Sequence, residues 1–441
     1  MISEQLEILR GSDCSPAQNR NSVTHGAPAQ WRSPKFKALL TSKEPPRLSI
    51  PLRGLAFSAI FLGLMIVFSA QAFGQSKNRA RDLGIPFDGT PGPLNAITDV
   101  KGVLVGHTTL IRGNGNLEIG KGPVRTGATA ILPTGKVYQP VFAAWATLNG
   151  NGEMTGTTWI EESGYLEEPI ILSNTHSVGA VHEAVIAWRM ARSYHASETG
   201  YDWASLPVVA ETWDGRLNDV HGFHVKREHV FTALDSAAEG RVPEGNVGGG
   251  TGMVCYQFKG GIGTASRRLG NGYTVGVLVQ ANYGKRRDLL IAGVPVGREI
   301  TDLLPVIHSL NPPAEGNSVI AIVATDAPLL PHQLKRLAKR VSLGIARLGG
   351  LGNNSSGDIF LVFSTATSGE ATDSEIVQVK MLQNERIDSL LEATVQATEE
   401  SIVNALVAAE TMTGINENVV FRLPHDRLKQ VLKKYNRILE Q

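Results

Sequence analysis

The chain has 441 residues, of which 42% are hydrophobic and 19% charged, and its net charge is +1. That balance argues against nucleic acid as the main partner, since a nucleic-acid surface needs an excess of cations. The apolar content is ample for one large core, and 47 glycines announce tight turns and close backbone approaches.

Residues 1–46 are polar and Pro-containing and read as a disordered N-terminal extension. Residues 47–72 follow a secretory pattern, with Arg47 and Arg53 ahead of an apolar run over 55–70 and then Ala70-Gln71-Ala72. This predicts export to the periplasm or beyond. The run is short for a membrane span of about 20 residues, so no stable membrane partner is expected once the signal is removed, with an uncleaved anchor as the alternative. Cys14 precedes this signal, which leaves Cys255 alone in the exported part and no internal disulfide. In Met253-Val254-Cys255-Tyr256 that thiol reads as packed.

From about residue 80 the composition is even, as in one large body. Between 97 and 133 short β-like runs (103–105, 128–132) alternate with Gly-rich turns, the pattern of hairpins. His176-Ser177-Val178-Gly179 opens a helix, 206–210 reads as a strand ending at Glu211, and 273–280 as another. After Ser318 the order is strand, helix (332–347), a Gly/Asn/Ser loop, strand (359–363), a long helix (387–411) and a last amphipathic helix (426–439). Interspersed strands and helices with hairpins in the first half predict a layered α/β sandwich.

The junction Pro312-Pro313-Ala314-Glu315-Gly316-Asn317-Ser318 runs straight into the apolar stretch 319–324. An exposed turn thus delivers Ser318 to the start of a buried strand, the placement for a chain that cuts itself and exposes a new N-terminal nucleophile. Gly, Asn and Ser are also ordinary turn residues, so this junction admits a purely structural reading. Asn282 ends a strand with an amide placed to donate to an oxyanion or to cap a turn. Ser356 and Asp358, in Ser355-Ser356-Gly357-Asp358, offer a hydroxyl and a carboxylate for proton relay, or a plain loop. Glu211 and Trp213, in Glu211-Thr212-Trp213-Asp214-Gly215, pair a carboxylate with an aromatic suited to a substrate ammonium, or form a solvated turn.

Other motifs carry less. The glycine-rich stretch from Asn246 to Thr264 lacks the order of a phosphate loop, and its amides suit either a substrate cleft or structural turns. His221, His224 and His229 lack the carboxylate spacing of a metal site.

Several long blocks in a fixed order carry a resemblance: Arg125-Thr126-Gly127-Ala128-Thr129-Ala130-Ile131-Leu132-Pro133, Asn149-Gly150-Asn151-Gly152-Glu153-Met154-Thr155-Gly156, Ser173-Asn174-Thr175-His176-Ser177-Val178-Gly179 and Ala324-Thr325-Asp326-Ala327-Pro328-Leu329. With Asn317-Ser318 they resemble the L-aminopeptidase/D-esterases and β-peptidyl aminopeptidases over residues 80–425. The resemblance implies an αββα sandwich like that of the N-terminal nucleophile hydrolases. It also implies cleavage between Asn317 and Ser318 into associated α (73–317) and β (318–441) chains, usually as a homotetramer, with no cofactor. It further implies Ser318 as nucleophile, Asn282 as oxyanion donor, Ser356 and Asp358 as the supporting pair, and Glu211 and Trp213 as the binding residues for the free amine of a small peptide or amino-amide substrate. The chain departs from the family pattern in having Asp358 where characterised members carry Glu, and Trp213 where some carry Tyr. Two alternatives stand beside the hydrolase: an acyltransferase like ornithine acetyltransferase, which normally uses Thr, and an exported binding protein that kept the fold without the chemistry.

Overall fold

In the computed structural model, which describes residues 78–137, 139–192, 206–308, 317–367 and 376–439, runs of β-branched and small apolar residues build two main sheets, beside two small two-stranded ones. The first half of the chain supplies β1 (Leu104–Arg112), β2 (Val124–Lys136), β3 (Val141–Gly150), α1 (Thr157–Ser163), β4 (Tyr165–Leu166), β5 (Ile170–Asn174), α2 (Val178–Met190) and β6 (Val208–Thr212). There follow α3 (Arg227–Asp235), the short strands β7 (Val254–Cys255) and β8 (Phe258–Lys259), then β9 (Gly261–Arg268), β10 (Thr274–Asn282) and α4 (Val296–Glu299). The last part holds β11 (Asn317–Thr325), α5 (Pro331–Arg347), β12 (Ser356–Ser364), α6 (Asp388–Ala408) and α7 (His425–Lys434).

One sheet has the order β1-β2-β5-β6 and the other β4-β3-β12-β11-β10-β9. Alternation of side chains gives each sheet two apolar faces. Ile131, Leu172 and Ala210 of the first sheet meet Leu278, Ile320, Ile322 and Leu361 of the second in the layer between them. On the outer face of the larger sheet Val277, Val279, Ala321 and Val323 pack under Leu334, Leu337 and Val341 of α5 and Ala397 and Leu406 of α6. Ala130, Ile171 and Val209 lie under α2 and α3 on the other side. The result is the expected αββα sandwich.

Helix α5 shows one apolar stripe, Leu334, Leu337, Ala338, Val341 and Ile345, after Pro331 at its first turn. Helix α6 is buried on nearly every side and hides its polar residues by bonding back along itself. The hydroxyls of Thr394, Thr398 and Ser401 donate to the carbonyls of Leu390, Thr394 and Ala397. Its Glu400 accepts from Arg81 Nε and Nη2 at 2.8 Å, from Asn95 Nδ2 at 2.6 Å and pairs with Arg267 Nη2 at 2.8 Å. Glu400→Ala is expected to cost about 3–5 kcal/mol, because it leaves the buried Arg267 guanidinium without its carboxylate. The urea midpoint measures this, and an unchanged midpoint would remove Glu400 as the tie between the N-terminal segment and the larger sheet.

Several boundaries differ from the sequence reading, the long helix among them, which covers Asp388–Ala408 rather than 387–411. β6 covers Val208–Thr212 rather than 206–210, so Glu211 is inside the strand. β12 begins at Ser356 rather than 359, because parallel pairing with β11 from Asn317↔Ser356 to Thr325↔Ser364 recruits residues of low strand preference. α7 stops at Lys434 rather than 439, with Asn436 at φ +54° turning the chain out of the helix. The extension, the signal segment and the turn over 312–316 lie outside the described residues.

Candidate active site

Strand register assembles the site. β11 lies between β10 and β12, so that Ser318 faces Asn282 on one side and Gly357 on the other. The Ser318 side chain is buried to 6% exposure at the end of the strand. Its Oγ accepts from the Gly357 N–H at 3.3 Å. Only glycine fits at 357, since a Cβ there would come within 2.4 Å of the Asn151 carbonyl oxygen.

Ser356 and Asp358 flank Gly357 on the same strand. The Ser356 hydroxyl donates to Asp358 Oδ1 at 2.6 Å, and Asn149 Nδ2 approaches Oδ2 at 3.4 Å. The bond that the shorter Asp makes is thus to Ser356, two residues before it on β12. Burial raises the Asp358 pKa above the ordinary carboxylate value, against the hydrogen bonds from Ser356, Asn149 and the Val319 N–H.

The Asn282 amide is held by two partners of opposite kind. Its Oδ1 accepts from the Val254 N–H at 2.7 Å, and its Nδ2 donates to the Trp213 carbonyl at 2.9 Å. This pairing fixes which end of the amide is nitrogen and leaves one N–H of Nδ2 uncommitted by those bonds.

Glu211 comes from the other sheet, at 4% exposure, which removes the solvated-turn alternative. Its Oε1 accepts from the Glu153 N–H at 3.1 Å and its Oε2 from the Thr175 hydroxyl. Burial raises its pKa, opposed by these two bonds. Gly152 joins the two halves of the site, since a Cβ there would lie 3.2 Å from Gly357 Cα and 3.3 Å from Glu211 Oε1. The carboxylate and β12 thus approach across a single glycine.

Trp213 meets the site through its main chain. Its carbonyl takes the Asn282 amide, while its ring packs over Gly215, where a Cβ would sit 2.5 Å away. Asn317 enters as the first residue of β11, paired with Ser356. The Glu211 partners Thr175 and Glu153, the Gly357 amide, Asn149 and the Val254 amide had no role assigned from sequence. Thr175, Asn149 and Glu153 do stand in the motif blocks, but only the fold reveals what they touch.

The other motifs have separate duties. Gly248 and Gly249 give their N–H groups to the Thr109 and Thr129 hydroxyls, which makes this part of the glycine-rich stretch a structural turn. His224 Nε2 lies 2.8 Å from Asp219, His229 accepts from the Lys226 N–H, and the His221 ring packs on His176 at 4.9 Å. Among the described residues no three His, Cys, Asp or Glu side chains converge on one point. Cys255 is buried and its pKa is pushed up to about 12 by burial, so its thiol stays protonated at neutral pH.

The sequence profile of peptidase family S58 matches residues 95–420. A β-peptidyl aminopeptidase, BapA of Sphingosinicella microcystinivorans, is 51% identical over 398 residues, covering 87% of this chain and 98% of that protein. BapA of Sphingosinicella xenopeptidilytica is 48% identical over 387 residues, covering 84% and 95%. The solved structure of the L-aminopeptidase D-Ala-esterase/amidase of Ochrobactrum anthropi, described as a prototype for the serine aminopeptidases and a new variant among the Ntn hydrolase fold, superposes with a TM-score of 0.75 at 47% identity. It covers 82% of this chain and all of that one. With the profile spanning most of the chain and the fold shared, the chain belongs to peptidase family S58 and is an aminopeptidase of the serine type.

Proposed function

We propose that this chain is an exported, self-processing aminopeptidase that removes N-terminal residues from small peptides, amino amides or esters through an acyl-enzyme on Ser318. Residues with a β-amino group are the favoured class, because both BapA relatives are named for β-peptidyl substrates. The observation that carries the reading is the position of Ser318 at the head of β11, between Asn282 and the Gly357 amide.

In the precursor the Ser318 hydroxyl attacks the Asn317 carbonyl and the acyl group moves from nitrogen to oxygen. Water then hydrolyses the ester and frees the α-amine of Ser318. That amine, with an ordinary pKa of about 8, takes the hydroxyl proton when the mature enzyme attacks a substrate carbonyl. The remaining N–H of Asn282 donates to the oxyanion, Ser356 and Asp358 hold the amine and relay its proton, and Glu211 binds the substrate ammonium. Because Glu211 demands a free amine, cleavage is confined to the first residue of a peptide.

The sheet order suits this chemistry. β11 and β12, from the C-terminal side of the cut, lie between β3 and β10 from the N-terminal side. Cutting before Ser318 therefore leaves two chains whose strands share one sheet, and association needs no covalent link. Intact mass and N-terminal sequencing of the denatured protein test the reading. The expected result is a fragment that begins Ser318-Val319-Ile320, together with release of amine from β-amino acid amides. A single uncut chain without hydrolysis overturns it.

A further inference from the structure

Lys259 is fully buried, with no exposed surface, beside the strand that carries Asn282. Its Nζ donates to the main-chain carbonyls of Met253 and Gly260, each at 2.8 Å, and lies 3.4 Å from that of Gly250. The Met253 carbonyl also accepts from the Gly260 N–H at 2.9 Å. An ammonium taken out of water at this depth is costly unless fully hydrogen-bonded, so the carbonyls around it are held as tightly as it is. The next residue after Met253 is Val254, whose N–H sets the orientation of the Asn282 amide. Space around this turn is closed, since a Cβ on Gly260 would come within 2.4 Å of the Ala281 carbonyl oxygen, next to Asn282.

We propose that Lys259 is a positioning residue for the oxyanion site, fixing the 250–254 turn so that the Val254 N–H aims the Asn282 amide at the acyl carbonyl. This rests on Asn282 being the oxyanion donor in the function proposed above. The ammonium acts at a distance, through one peptide unit and one amide. Without it the Met253 and Gly260 carbonyls lose a common donor, the turn relaxes, and the Asn282 amide is left with the Trp213 carbonyl as its one firm partner.

The test is a double-mutant cycle on kcat and KM for a β-amino acid p-nitroanilide, with Lys259→Met, Asn282→Ala and the pair. Lys259→Met is expected to lower kcat roughly 10- to 100-fold, the scale for groups that orient a reacting residue, with KM nearly unchanged. In the Asn282→Ala background the same substitution is expected to lower kcat less than twofold. An equal loss in both backgrounds assigns Lys259 a general structural role and overturns the proposal. Wild-type kcat in Asn282→Ala removes the Asn282 reading and the proposal with it, while leaving the Ser318 reading to its own test by fragment mass. If Lys259→Met does not fold, Lys259→Gln, which keeps a donor for one of the two carbonyls, is put through the same cycle with the same expected and overturning results. Where a variant matures slowly, the cycle is read on the rate of cleavage at Asn317–Ser318.

Discussion

Ser318→Ala is expected to leave one uncut chain and to remove hydrolysis, with a loss in kcat on the order of a millionfold, the scale for deleting an enzyme's attacking hydroxyl. Both effects have one cause in the proposed mechanism, where the same oxygen attacks Asn317 in the precursor and the substrate in the mature enzyme. The fold should survive, since the hydroxyl accepts a single long bond from the Gly357 N–H at 3.3 Å and contributes little to the packing around β11. A urea midpoint close to wild type therefore accompanies the loss of function and separates it from misfolding. Ser318→Thr is a useful companion, because it keeps a hydroxyl and adds one methyl at a position of 6% exposure. It is expected to cut slowly rather than not at all. Mass spectrometry of the Ala variant decides the matter: a fragment starting at residue 318 would mean that Ser318 is not the group that breaks the chain.

The sequence showed the serine junction because the signal is local: a turn and an apolar strand follow each other within a dozen residues. It also showed that Asn282 and Glu211 stand near strand ends, since apolar runs stop there. What it did not show was pairing. Asn282 and Ser318 are neighbours only through the antiparallel register of β10 and β11, and Gly357 reaches Ser318 only through the parallel register of β11 and β12. Register depends on contacts between strands far apart in the chain, and a local pattern carries no record of them. The same holds for Glu211, whose partners Thr175 and Glu153 come from different elements, and for Lys259, which read as one more residue in a glycine-rich stretch. The strand limits at 356 and 212 were missed for a related reason. Ser, Gly and Asp are poor strand formers, and it is the ladder to β11 that draws Ser356, Gly357 and Asp358 into β12. The layered sandwich was legible because alternating apolar runs and one-sided helices must be covered on their apolar sides, and few arrangements do that.

Glu211→Gln is the second large effect. The substitution keeps the shape of the side chain, and its amide can still accept from the Glu153 N–H and meet the Thr175 hydroxyl. What it removes is the buried charge to which the proposed function assigns the substrate ammonium. Losing one partner of such a pair costs about 2–5 kcal/mol, so kcat/KM for an amino amide is expected to fall roughly 30- to 5,000-fold. An analogue without the amine should be affected little. The pH dependence follows from the direction of the pKa shift. Burial raises the Glu211 carboxyl above its ordinary value of 4.5, so kcat/KM should fall with decreasing pH through that raised value as the carboxylate is neutralised, and the variant should lack this limb. Stability runs the other way. A carboxyl whose pKa is raised by folding favours the folded state below its unfolded value of 4.5, and that contribution is lost as pH rises through the folded value. Above that folded value the empty wild-type site holds a charge that burial opposes, and Glu211→Gln should be the more stable protein there. The gap in urea midpoint between the two should close as pH falls toward 4.5. A variant less stable than wild type above that folded value, or one that keeps wild-type kcat/KM on amino amides, would mean that Glu211 is held by its neighbours as a structural acid and that the ammonium is bound elsewhere.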